Sequence, residues 1–142
     1  MLLMKYKKCN DKVVVRIDKG EEIVKALKQI CSSLDIKLGM IIGIGATDKA
    51  TIGLFDMKTK QYHSTEFVGD HEIAPLYGNI STMDGNVYIH LHVNLCNKKH
   101  VSFGGHLNSA IVSATFEGVI TIIHGKVERI FDDTTGLNLL SF

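Results

Sequence analysis

The sequence predicts an α+β fold, with one largely antiparallel or mixed β-sheet and one main amphipathic helix near the N-terminus. Apolar residues recur at helical spacing within residues 20–34, and charged residues take the opposite face. After residue 37, short apolar and β-branched runs alternate with turns of hairpin length. One helix followed by many closely connected strands is typical of α+β proteins and not of doubly wound α/β proteins.

The helix is predicted over residues 20–34. Its apolar face consists of Ile23, Ala26, Leu27, Ile30 and Leu34. Asp18 stands three residues before Glu21, which is the spacing of a reciprocal N-terminal cap. We expect the helix to pack on the sheet. This packing explains its amphipathic pattern without a further function.

The predicted strands are separated by short polar or glycine-containing turns. They cover residues 12–18, 37–46, 50–57, 61–68, 72–79, 87–96, 110–124 and 126–131. Pro75 lies within one of them and predicts an edge strand or a bulge at that point. Asp84-Gly85 is a hairpin turn signal before the strand at 87–96.

The length and composition predict a single domain over residues 1–142. A chain of 142 residues with 45% hydrophobic and 22% charged residues is ordinary for one globular domain. Its formal net charge of +1 argues mildly against a protein that binds nucleic acid through phosphates. The small clusters Lys5, Lys7, Lys8 and residues 98–100 are interpreted as solvated loop charges.

The cysteines and the first residues predict a cytoplasmic protein. Cys9, Cys31 and Cys96 are an odd set without a Cys-x-x-Cys pair, a pattern that fits a reducing compartment. The apolar residues 1–4 are followed at once by lysines, which does not match the order of charges in a signal peptide. Because no apolar stretch has the length of a membrane span, we expect no membrane partner.

Gly43-Ile-Gly45 is too short for a dinucleotide-binding fingerprint. Asp48 stands where the third glycine would be required, and no helix pattern follows. We interpret the two glycines as a strand bend or a close backbone contact.

The predicted strand at 87–96 carries the main candidate site. Its odd-numbered residues are apolar and form a core face, while Tyr88, His90, His92 and Asn94 point the other way. Side chains at i and i+2 are same-face neighbours about 6.6–6.8 Å apart along the strand. Two imidazoles at that spacing can converge on one ion at about 2.0–2.1 Å per bond.

His106 is the candidate for a third ligand. It follows Gly104-Gly105, and two glycines allow close backbone approach or positive φ angles. The competing interpretation is that His90 and His92 are paired polar residues facing solvent or a subunit interface. The other histidines have no spacing partner, and His100 lies in a lysine-flanked turn.

The order and spacing of these motifs together resemble the PPC (plants and prokaryotes conserved) domain over nearly the whole chain. The motifs are Arg16-Ile-Asp-Lys-Gly-Glu21, the amphipathic helix, Gly43-Ile-Gly45-Ala46, His90-Leu-His92, Gly104-Gly-His106-Leu107 and Thr135-Gly136-Leu137. The resemblance implies a central, largely antiparallel sheet and a homotrimer. It also implies that the histidines at positions 90, 92 and 106 form a metal site, as in prokaryotic members.

The same resemblance raises DNA as a partner. Plant members combine this domain with AT-hook segments, and stand-alone prokaryotic members are labelled predicted DNA-binding proteins. This sequence has no Arg-Gly-Arg core and no basic tail. The DNA-binding label therefore derives from a module that is missing here, although a trimer could assemble the lysine clusters into a basic ring.

Three functions stay open from the sequence. The first is a trimeric metal protein whose role, small-molecule binding or metal-assisted chemistry, stays open. Its divalent ion is zinc by preference, although nickel and copper also suit three imidazoles. Whether it is an enzyme is left open; Glu117 is a possible acid/base partner, or an ordinary exposed carboxylate. The second is DNA binding, and the third is an interaction module whose product is the trimer, with residues 119–123 and 137–140 as interface or as core.

Overall fold

The structure is a computed structural model that describes residues 5–142, so the residues 1–4 used in the signal-peptide argument lie outside it. The described chain is mostly β-sheet with one α-helix, which confirms the predicted fold class. The helix α1 covers Ile23–Ser33. The strands are β1 (Lys5–Cys9), β2 (Lys12–Asp18), β3 (Gly39–Asp56), β4 (Gln61–Met83), β5 (Asn86–Cys96), β6 (Ser102–Ile122), β7 (Glu128–Asp132) and β8 (Leu137–Ser141).

Helix α1 packs on the sheet, as predicted, but its cap differs from the expected one. The N-cap is Glu22, whose carboxylate accepts hydrogen bonds from the backbone N–H groups of Val24 and Lys25. The same carboxylate accepts a third bond, of 3.0 Å, from the backbone N–H of Ala110 on β6. The predicted cap at Asp18 is wrong because the chain first makes a turn in which Glu21 binds the Asp18 N–H at 2.7 Å. The N-cap therefore lies four residues later, at Glu22, whose carboxylate binds backbone N–H groups of both α1 and β6.

The strands form a single eight-stranded sheet. Its order is β1-β2-β6-β3-β4-β7-β8, and β5 pairs with both β4 and β6. Strands β3, β4, β5 and β6 therefore close a circuit of backbone pairings. The pairings are antiparallel except for one parallel contact between Thr82 and Glu128, which joins β7 to β4.

Long bent strands replace several shorter strands of the prediction. Residues predicted as two strands, 37–46 and 50–57, form the one strand β3, with irregular register between Gly43 and Lys49. A side chain at Gly43 would collide with the Phe116 ring, and one at Gly45 with the Thr115 carbonyl. The interpretation of these glycines as close contacts is confirmed. Pro75 lies at a register shift between Ile73 and Leu76, which is the predicted bulge.

Two short edge strands were not predicted as such. Strand β1 contains Lys5, Lys7 and Lys8, so their interpretation as loop charges is wrong, although all three are exposed. Strand β8 pairs with β7 to form a C-terminal hairpin. The sequence predicts interface or core for residues 137–140 and gives no strand pattern there.

The two faces of the sheet differ in what covers them. The inner face and α1 enclose one core, in which Phe116, Leu27, Leu91 and Ile120 are at most 1% exposed. The opposite face carries exposed apolar side chains on β2, β3 and β4. We call this surface the outer patch; it consists of Val14, Met40, Ile42, Ile44 and Tyr77. No helix among residues 5–142 is long and apolar enough to cross a membrane.

Candidate metal centre

Strand β5 places His90 and His92 on the face opposite the core. Leu91, Val93 and Leu95 are buried, whereas His90 is half-buried and His92 is exposed. The alternation predicted from the sequence is therefore present in the structure. It follows from the two-residue period of an extended chain.

His106 joins them because β6 crosses both β5 and β3. In the sheet register His106 lies directly opposite His92 on β5 and opposite Gly53 on β3. The preceding glycines allow this approach: a Cβ at Gly105 would lie 2.7 Å from the Gly53 carbonyl oxygen, and one at Gly104 would collide with the Val93 carbonyl. The role predicted for the two glycines, close backbone approach, is present in the structure.

The three imidazoles form one compact cluster. Ring centroids are separated by 5.0 Å for His90 and His92, 5.2 Å for His90 and His106, and 5.7 Å for His92 and His106. One nitrogen from each ring lies within 4.8 Å of the others, and the Nε2 atoms of His90 and His92 are 3.2 Å apart. A tetrahedral ion with bonds of about 2.05 Å requires ligand nitrogens about 3.3 Å apart. The His90–His92 pair has about that spacing, and a ring nitrogen of His106 lies within 4.8 Å of both.

Burial keeps two of these rings neutral. The pKa of His90 is lowered to about 4, first by burial and then by the nearby His106, Arg129 and His92. The pKa of His106 is also lowered, first by burial and then by His92. At neutral pH these imidazoles therefore keep the lone pairs that a metal ligand needs.

The cluster lines a cleft of about 900 Å³. Its walls come from one end of β3 and of β4, the outward side of β5, the first residues of β6 and the β7–β8 hairpin. The lining is mostly apolar and includes Leu54, Phe103, Phe131 and Leu139. This size and composition are those of small-molecule sites in proteins.

Arg129 on β7 lines the same cleft and is only 7% exposed. Its Nε donates to Ser81 Oγ, its Nη1 to the Asn138 carbonyl and its Nη2 to Asn79 Oδ1, each at 2.8 Å. Its guanidinium lies 4.8 Å from the centroid of the Tyr88 ring. Sequence reasoning missed Arg129 because residues 126–131 show only a short strand pattern, which gives no sign of the contact with β4 and β5.

The remaining sequence candidates are placed differently. Glu117 is exposed on β6 opposite Ile44, and it does not line the cleft, so the structure separates it from the histidines. His63, for which no partner was expected, lines the cleft from β4. His71 packs edge-on against Phe103, and His100 is exposed in its turn, as predicted.

Comparison with known families gives the evolutionary context of this geometry. The model of the Plants and Prokaryotes Conserved (PCC) domain, the PPC domain of the sequence analysis, matches residues 4–124. The chain belongs to this family. The match contains the three histidines and ends before the β7–β8 hairpin that carries Arg129.

Solved structures of similar proteins have the same fold. A putative DNA-binding protein from Bacteroides thetaiotaomicron is 38% identical, with 99% and 98% of the two chains covered and a TM-score of 0.96. A metal-containing protein from Archaeoglobus fulgidus is 32% identical over 100% of both chains, with a TM-score of 0.86. A plant- and prokaryote-conserved protein from Pyrococcus horikoshii is 29% identical, covering 100% and 96%, with a TM-score of 0.85. No curated protein matches the chain.

The lowered pKa of His90 predicts an acid-sensitive stability of the metal-free PCC domain. Between pH 6.5 and 4 the unfolded chain binds a proton at His90 that the folded chain does not, so the free energy of unfolding falls as the pH falls. We expect His90→Asn to lose part of this fall between pH 7 and 5, as measured by urea unfolding with a chelator present.

His100→Asn, which removes an exposed imidazole, is the matched control. An identical pH dependence in wild type and His90→Asn would contradict the prediction.

Proposed function

We propose that this PCC-domain protein binds one divalent metal ion through His90, His92 and His106, and that zinc is the preferred ion. The observation that carries the proposal is the convergence of three imidazole nitrogens within 4.8 Å at the wall of a cleft. Three neutral imidazoles are a known zinc ligand set, and such sites keep a fourth position for water or a ligand. The 32% identical Archaeoglobus protein is described as metal-containing, which supports the same proposal.

The surroundings of the three histidines fit a catalytic or ligand-binding centre better than a closed structural one. His92 is exposed, and all three rings border the cleft, so a fourth ligand can enter from solvent. A bound zinc ion would supply an acidified water, with a pKa of about 7 in favourable cases, or would polarise an oxygen of a ligand. The protein's own contribution is to lower the pKa of His90 and His106 by burial and to hold all three imidazoles on two paired strands.

The metal proposal predicts about one zinc ion per chain in untagged protein purified without a nickel column, measured by inductively coupled plasma mass spectrometry. His90→Ala/His92→Ala should lose the metal. Each single alanine variant should lower zinc affinity at least about a hundredfold in a chelator competition, because loss of a ligand exceeds the effect of losing an outer contact.

His100→Ala is the control for general effects of removing a histidine, and circular dichroism checks that each variant is folded. Sub-stoichiometric metal in the wild type, or unchanged metal content in the double variant, would remove the proposal. Measuring zinc, nickel and copper together identifies the preferred ion, since all three suit imidazole ligands.

We further propose that the single domain of residues 1–142 assembles as a homotrimer in the cytoplasm. The outer patch supports self-association, because Ile42 and Ile44 are 48% and 61% exposed on adjacent outward positions of β3. Contiguous exposed apolar surface of this kind marks interaction sites. The patch reaches the histidines, since Tyr77 lies opposite His92 in the sheet. The three free cysteines, Cys9, Cys31 and Cys96, fit a reducing compartment.

The trimer proposal predicts a solution mass of three 15.7 kDa chains by sedimentation equilibrium. Ile42→Glu should dissociate the trimer, because it places a charge in the centre of the outer patch. Met57→Glu, at a similarly exposed apolar side chain in the β3–β4 turn, should leave the mass unchanged. A wild-type monomer would contradict the proposal.

DNA binding is the second candidate function, favoured by the description of the 38% identical Bacteroides protein. The basic surface that could contact DNA phosphates is strand β1. Its Lys5, Lys7 and Lys8 are exposed, and an oligomer would repeat them. The small net charge of +1 on each chain limits this surface.

The DNA candidate predicts a gel shift of A·T-rich duplex at low salt that weakens steeply toward moderate salt. Lys7→Glu/Lys8→Glu should abolish the shift, and Lys25→Glu/Lys28→Glu, at two exposed lysines of α1, serves as the charge-matched control. Absence of any shift at low salt would eliminate this candidate without affecting the metal proposal.

A further inference from the structure

Arg129 is a buried cation that has no acidic partner among residues 5–142. None of the described residues that line the cleft is an aspartate or glutamate, and Arg129 forms no ion pair within residues 5–142. Its hydrogen-bond acceptors, on Ser81, Asn79 and Asn138, are all neutral. A guanidinium stays charged in proteins, and a buried charge without a counter-charge is costly. The cleft therefore has an unbalanced positive charge in its wall.

The guanidinium also retains donors. It has five N–H groups, and three of them bind Ser81, Asn138 and Asn79, which leaves one on each terminal nitrogen. Two remaining N–H groups and a full positive charge are what a planar guanidinium offers to a carboxylate or phosphate group. These hydrogen bonds attach the β7–β8 hairpin to β4. A neutral hydrogen-bond donor could do the same, so this structural role does not explain the positive charge of Arg129.

The sheet register places this charge next to the histidines. Asn79, which binds Arg129, lies directly opposite His90 in the pairing of β4 with β5. Tyr88, on whose ring the guanidinium packs, is two residues before His90 on the same strand. Directly opposed residues have Cβ atoms about 4.5–5.5 Å apart. One small ligand can thus contact both the guanidinium and the imidazole cluster.

We propose that the cleft binds a small organic anion, with its carboxylate or phosphate group on Arg129 and its apolar body against Leu54, Phe131 and Leu139. One part of this proposal rests on the proposed function: a metal ion at the three histidines would bind a second polar group of the same ligand. The cleft volume of about 900 Å³ accommodates a metabolite-sized molecule. The contact with Arg129 exists with or without the metal.

The test compares charged and neutral forms of one ligand shape. Benzoate, phenyl phosphate and the neutral benzamide are titrated into metal-free, full-length protein by calorimetry and by ¹⁵N NMR of the Arg129 Nε–H and the Gly105 amide. We expect an anion to bind with perturbation of both signals. Benzamide should bind at least about tenfold more weakly, the factor that corresponds to 1.4 kcal/mol of lost interaction.

Variants separate charge recognition from hairpin anchoring. Arg129→Gln should lose the preference for anion over amide, and Arg129→Lys should retain part of it because the charge remains. Arg16→Gln removes the same charge from an exposed position on β2 and should bind like the wild type. The wild-type comparison stands even if Arg129→Gln fails to fold. Equal binding of benzoate and benzamide, or no binding of any probe, overturns the proposal.

Repeating the titration with zinc-loaded protein separates the two proposals. Anion binding to the metal-free protein, unchanged by added zinc, would support the Arg129 site and contradict a ligand shared with the histidines. A larger anion affinity with zinc, lost in His90→Ala/His92→Ala, supports the shared ligand. Binding of phenyl phosphate but not benzoate, or the reverse, assigns the anionic group. If inorganic phosphate alone binds as well as phenyl phosphate, the apolar part of the proposal is wrong.

Discussion

The pairing of β5 with β6 is the contact on which the site depends. It places His106 opposite His92, and it requires β6 to pass close to Gly53 of β3 at the same point. That approach leaves no room for a side chain at Gly104 or Gly105. The relative positions of the imidazoles are thus fixed by backbone hydrogen bonds within a closed circuit of strands. Side chains held in this way reduce the reorganisation that the proposed metal binding requires.

Much of this arrangement is present in local sequence patterns. The alternation in β5 predicts the outward direction of His90 and His92, and the glycines before His106 predict a close approach. The amphipathic spacing in α1 predicts its packing face. These features could be predicted because each depends on a single element and its own period. The link between His106 and the other two came from the resemblance to the PPC domain, since spacing along the chain does not specify strand pairing.

The missed features are those that depend on distant contacts. Glu22 caps α1 because its carboxylate also reaches the Ala110 N–H on β6, and no local spacing contains that contact. Arg129 is buried because Asn79 and Ser81 on β4 accept its hydrogen bonds, about 50 residues earlier in the chain. Similarly, the two predicted strands of β3 merge because Gly43 and Gly45 let it bend while it stays paired with β6.

The lysines of β1 lie on an edge strand, because β1 is at one end of the strand order. An edge strand presents unpaired backbone groups that can template the addition of a further strand from another molecule. In β1 three of five residues are lysines, and a second β1 approaching this edge would bring like charges together. Because the whole chain has a net charge of only +1, overall repulsion between molecules is weak. The exposed lysine charges of β1 therefore disfavour open-ended growth of the sheet at this edge.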